Sequence, residues 1–131
     1  MKSAVQEQSY LENWRWLSRQ IRCALIPNDP RIIEDYMAEG RFLISCGAAS
    51  AWTVARTAFR LLLDTATDPA LPWHWRCLCL DQAYRPLRDM RLAARNAEHL
   101  QLWHQHGRQL AVCTLEPSIS FSDLLQGHPD E

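Results

Sequence analysis

Glycine is scarce, four in 131 residues, and a chain so poor in the residue of hairpin turns and bulges is not built from many short strands. Lysine is scarcer: Lys2 stands alone beside thirteen arginines, a bias that GC-rich coding explains without any functional demand for guanidinium. Long apolar runs are missing too. Stretches such as Leu61-Leu62-Leu63 fall far short of the roughly 20 residues a bilayer-spanning helix needs. Charge of one sign is lacking as well, since 14 basic residues face 15 acidic ones for a net charge of −1. That balance removes the general attraction to phosphate on which nucleic-acid binders rely. The N-terminal segment carries no apolar run after its lysine, so no secretory signal is expected and a cytoplasmic location is. Cys23, Cys46, Cys77, Cys79 and Cys113 are odd in number and lack disulfide-like spacing, which predicts free thiols in a reducing compartment.

What is present is ordinary for a globular protein: 47% hydrophobic and 22% charged residues. The length suits one domain, residues 1–131, with an ordered core from about 9 to 126 and frayed ends. Apolar residues recur at helical rather than strand spacing, so the predicted fold is all-α, a single-domain bundle of five to six helices.

Ser9-Tyr10-Leu11-Glu12 has the spacing of a capping box and predicts a helix start. Leu11, Trp14, Leu17, Ile21 and Ala24 then form its inner face, and Pro27 closes the run. Asp29-Pro30 predicts a second helix that carries Ile32, Ile33, Tyr36 and Met37 inward and stops at Gly40. Residues 41–47 read as a helical turn or connector. Ser50 predicts the next cap, with a helix to about Asp64. Pro72 opens a fourth helix whose inner face is Trp73, Cys77, Leu80 and Tyr84. Pro86 predicts a kink or restart, followed by a run to about Gly107. Leu87, Met90, Ala94 and Ala97 face the core. A short segment from Arg108 to Leu115 and a capped turn at Ser120-Phe121-Ser122-Asp123 complete the prediction.

Several strings, Trp14-Arg15-Trp16 through Arg22-Cys23-Ala24-Leu25, Ala38-Glu39-Gly40-Arg41-Phe42-Leu43 and the stretch from Phe59 to Arg88, resemble the FagA family of small, Fur-associated bacterial proteins. The resemblance covers most of the chain and is weakest at both ends. It implies expression under iron starvation, beside an iron-independent fumarase and a manganese superoxide dismutase. It carries no activity or catalytic residue with it.

The chemistry-bearing candidates lie in two places. At roughly 100° per residue, Arg88, Arg95, His99 and His106 share one stripe of the helix after Pro86, with Arg91 and Trp103 flanking it. Such a ridge suits a phosphate, a carboxylate or an acidic partner. The bland alternative is a solvated face whose arginine stems cover apolar surface. The second place is Trp73-His74-Trp75, where Trp73 is expected in the core and Trp75 elsewhere, as an interface anchor. A metal reading uses His99, His106 and Glu98 for iron or manganese, with further ligands from a second helix. Its weakness is spacing, because helical ligand pairs lie three or four residues apart. Cys77-Leu78-Cys79 reads as buried thiols.

No catalytic motif is present: no G-x-S-x-G, no phosphate-cradling glycine loop, no paired zinc motif and no repeated Glu-x-x-His. A helix-turn-helix around Gly40 is excluded by its long connection and the apolar second helix. The expectation is a non-catalytic accessory protein without a cofactor, acting on another protein or an anionic small ligand. Nucleic acid and membrane are not expected partners, and a homodimer is left open.

Overall fold

The structure is a computed structural model that describes residues 4–120. The predicted turn at Ser120–Asp123 and the predicted fraying at the C-terminus lie largely or wholly outside those residues. Six helical segments follow one another: α1 (Ala4–Arg22), α2 (Arg31–Ser45), α3 (Ala51–Ala66), α4 (Trp73–Gln82), α5 (Tyr84–Ala93) and α6 (Ala97–Ala111). The break between α4 and α5 is a bend at Ala83, where the backbone stays in the right-handed helical region. The architecture is therefore an all-α bundle of five helices, one of them bent.

α3 is the axis of the bundle. Val54, Ala55, Ala58, Phe59, Leu61, Leu62, Thr65 and Ala66 are all buried, too broad a set for a single amphipathic stripe. α1, α2, α4 and α5 pack around it. Ser50 caps it as predicted, its hydroxyl accepting from the Thr53 N–H at 3.1 Å. The one buried hydroxyl in its last turn, Thr65, donates back to Leu61 O at 2.7 Å.

α1 includes Ala4, ahead of the predicted capping box, so Ser9 lies inside the helix. It ends at Arg22, before Pro27, with Ala24 in the left-handed region at φ 50°. α2 does not stop at Gly40 but runs to Ser45, absorbing the predicted connector. Gly40 is there for space. A Cβ at that position would lie 3.0 Å from Val54 Cγ1 and 3.4 Å from Trp14 Nε1, so glycine lets α2 approach α1 and α3 closely. The glycine that does end α2 is Gly47, at φ 78°, with the Ala48 N–H returning to Leu43 O at 2.9 Å.

The predicted long helix after Pro86 is two helices. Ala94 is extended, and Asn96 caps α6 by accepting from the His99 N–H at 2.8 Å. Pro86 sits in the first turn of α5, where its missing N–H breaks nothing, and the bend precedes it. The inner face of α4 is also rotated from prediction: Trp75, Arg76 and Cys79 are buried, whereas Trp73 is 48% exposed. Cys79, not Cys77, is the core thiol, and burial pushes its pKa up to about 12. No helix among the described residues is long and apolar enough to cross a membrane.

Candidate functional site

The Trp73-His74-Trp75 corner, extended by one residue, is a capping device. Helix C-termini leave backbone carbonyls without intrahelical partners, and three consecutive side chains of α4 donate to backbone carbonyls, two at such ends and one in the α1–α2 loop. His74 Nε2 donates to Pro27 O at 3.1 Å, Trp75 Nε1 to Ile21 O at 3.0 Å, and Arg76 Nε to Ala66 O at 2.9 Å. The start of α4 thus closes the ends of α1 and α3. Trp75 is buried rather than offered as an anchor, which corrects the predicted assignment. The apolar periodicity misplaced this face because it counts hydrophobic area and ignores where donors must reach. Nearby, Arg22 pairs with Asp68 at 2.7 Å. That guanidinium, together with the Ala70 N–H, holds the Asp68 carboxyl below its ordinary pKa.

The predicted basic ridge is not one surface. Arg88 lies exposed on α5, 3.8 Å from Asp89. Arg95 lies in the linker before α6, its N–H donating to His99 Nδ1 at 3.1 Å. The helix breaks between them, so the computed stripe does not continue. His99 and His106 instead face α3. His99 stacks on Trp52 with ring centroids 3.9 Å apart and planes 7° apart. His106 stacks on Phe59 at 5.0 Å and 23°. The spacing is seven residues on both helices, so two matched stacks lay α6 along α3. Trp103 is half-buried, with the Arg91 guanidinium 5.5 Å from its ring.

His106 is 3% exposed, and its Nδ1 meets Gln109 Oε1 at 2.9 Å. The carboxamide oxygen accepts, so Nδ1 carries the proton and Nε2 holds a buried lone pair without a partner. Desolvation lowers its pKa, opposed by the Gln109 hydrogen bond. Arg56 and Arg60 on α3 lower it further, and Asp64 raises it. Glu98 is exposed in the first turn of α6, favourably placed for the helix dipole. Among the described residues no three His, Cys, Asp or Glu side chains come together to hold a metal ion.

A cleft lies between α2 and α5, over α3. It encloses about 330 Å³, within the usual size of small-molecule sites. Gly40, Ala51, Val54, Ala55 and Ala58 give it small-residue lining, with Trp14 and Tyr36 beside them. Met37, Arg41 and Ile44 line the α2 side, and Pro86, Asp89, Leu92 and Ala93 the α5 side. Arg85 ties α5 to α2 through Glu34 at 2.6 Å, a contact that depresses the Glu34 carboxyl pKa. Trp14 stacks on Tyr36 at 5.1 Å and 12°, and its indole donates to Tyr36 O at 3.2 Å. The Tyr36 hydroxyl is buried without a partner, and burial pushes its pKa upward. Arg41 enters none of the ion pairs among the described residues.

No family model, curated protein or solved structure matches the chain. The functional reading therefore rests on these surfaces. A sequence signal for the cleft did exist: Ala51, Ala55 and Ala58 recur on one helical face beside Gly40. Small residues equally serve close helix packing, however, so the pattern alone does not distinguish a gap from a tight seam.

Proposed function

We propose that this chain is a non-catalytic binding protein whose α2–α5 cleft takes a small amphiphile, an apolar body carrying one anionic group. In the setting implied by the FagA resemblance it serves the iron-starvation response as an accessory binder. The observation that carries the reading is Arg41 on the side of an otherwise mainly apolar cleft, without an ion-pair partner of its own among the described residues. Apolar walls with a few polar groups that fix orientation are the usual composition of a small-ligand site. Asp89 on the opposite wall disfavours a dianion there by like-charge repulsion. The alternative of iron or manganese handling through His99, His106 and Glu98 has less support, because both imidazoles are engaged in ring stacks with α3.

The test is a titration with octanoate and, in parallel, octanol, followed by tryptophan fluorescence with Trp14 in the cleft wall. Saturable octanoate binding about tenfold tighter than octanol is expected, with Arg41→Ala erasing the difference. Absence of saturable binding by either compound would sink the reading. Equal octanoate affinity in wild type and Arg41→Ala would remove the anionic group from it.

A further inference from the structure

Arg76 is fully buried, and each of its hydrogen-bond partners among the described residues is uncharged, although its charge helps hold the Asp68 carboxyl below its ordinary pKa. Its Nε donates to Ala66 O at the end of α3, its Nη1 to Ser118 Oγ at 2.9 Å, and its guanidinium lies 5.3 Å from the Trp73 ring. Among the described residues Nη2 has no partner. Arginine does not shed its proton to relieve such a situation. A buried charge without a direct ion pair, and with a donor unmet, is a costly arrangement. The α3 carbonyl end offsets part of that cost through its dipole, but it leaves the outer edge of the guanidinium half used.

That outer edge is a fork. Nη1 and Nη2 together present two parallel N–H groups, the geometry that matches two oxygens of one carboxylate or phosphate. Here a serine hydroxyl fills one tine and the other is empty. Ser118 belongs to an extended segment, residues 113–120, which has no regular secondary structure. Its ties in this region include Ser118 Oγ donating to Leu71 O at 2.7 Å, the Ile119 N–H donating to Pro69 O at 2.7 Å, and the Arg76 contact. Leu115 packs against the core from the same segment. The cover over the fork is thus held by a few hydrogen bonds rather than by a helix.

We propose that the Arg76 guanidinium is a second ligand site, for a small oxyanion, kept shut by residues 113–120 with Ser118 as a one-oxygen placeholder. A carboxylate or phosphate that displaces Ser118 gains both tines of the fork and frees the segment. The site is distinct from the α2–α5 cleft: Ala66 lies eight residues beyond Ala58, roughly 12 Å along α3. Neither proposal depends on the other.

The experiment titrates inorganic phosphate, acetate and chloride in separate arms at constant ionic strength, by calorimetry and by amide exchange over residues 113–120. Saturable binding of phosphate or acetate but not chloride is expected, with loss of protection at the Ile119 amide. The arm that binds more tightly names the class. Ile119→Pro removes the donor to Pro69 without touching Arg76, so it tightens apparent anion affinity about two- to tenfold by raising the open fraction. Arg76→Met abolishes binding. If that variant does not fold, wild type against Ile119→Pro decides the matter. No saturable anion binding by Ile119→Pro would overturn the proposal. So would equal affinity in the two proteins, or binding that leaves the Ile119 amide as protected as before.

Discussion

On its α5 side, α3 meets Pro86 and Met90, residues buried in the apolar core. On its α6 side it meets imidazoles: His99 on Trp52 and His106 on Phe59. The first seam gains from removing apolar area from water, roughly 25 cal/mol per Å², and is indifferent to pH. The second gains from ring stacking, worth about 0.5–1.5 kcal/mol per pair beyond area, and at His106 burial favours the neutral ring. One helix therefore carries a dry, insensitive contact on one flank and a titratable contact on the other. Two histidines that look like a ligand pair in the sequence are the adhesive of a helix.

The largest way to separate the seams is to cut the dry one. Met90→Ala should cost about 2–5 kcal/mol of global stability, read as a fall in the denaturant midpoint. Gly40→Ala probes close approach without changing polarity. The new methyl group meets Val54 Cγ1 at 3.0 Å, and strain of about 1–3 kcal/mol outweighs a helix-propensity gain of about 1. A net loss of about 1 kcal/mol is expected. A net gain in melting temperature would show that α2 has room to shift.

The stacked seam should yield more locally. His99→Ala is expected to cost about 1 kcal/mol or less, with faster amide exchange confined to α6 and little change in α3. Uniform acceleration across the bundle would mean that the seams are not separable. The smallest effect concerns pH. The folded fold keeps the His106 pKa below its ordinary value near 6.5, so the unfolded chain binds the proton more readily. Its contribution is whole above about pH 6.5 and is lost as the pH falls through that value toward the lower folded one. His106→Phe keeps a ring on Phe59 and should flatten that part of the melting-temperature profile between pH 7 and 5. An unchanged slope would assign the acid sensitivity to the carboxylates instead.

The fold class was legible because helical periodicity is strong along most of the chain, and the caps at Ser50 and the bend region near Pro86 left local signatures. The C-terminal end of α2 and the inner face of α4 were not. Gly40 reads as a stop signal, yet it is the place where Trp14 and Val54 press closest to the backbone. Arg76 is absent from the predicted inner face of Trp73, Cys77, Leu80 and Tyr84, yet it reaches the carbonyl end of a helix ten residues earlier in sequence. In both cases the deciding partner lies elsewhere in the chain, beyond any local window. The stripe of Arg88, Arg95, His99 and His106 failed for the opposite reason: a short break at Ala94–Asn96 resets the helical phase, and its local signal is a single capping residue, Asn96.

The equal spacing of the two stacks, 52 with 99 and 59 with 106, also fixes direction: α3 and α6 run the same way. Parallel neighbours cannot be joined by a short turn, and here α4 and α5 form the crossover between them. Each stack closes a loop of 47 residues (99 − 52 and 106 − 59), a large share of the chain, so chain-closure entropy delays it relative to the nearer pairings. Docking of α6 on α3 is accordingly expected late, together with closures of similar span such as Trp75 on Ile21. Substitutions at its stacks should leave the refolding rate nearly untouched and appear almost wholly as faster unfolding, which gives the two histidines control over how long the native bundle lasts rather than how quickly it forms.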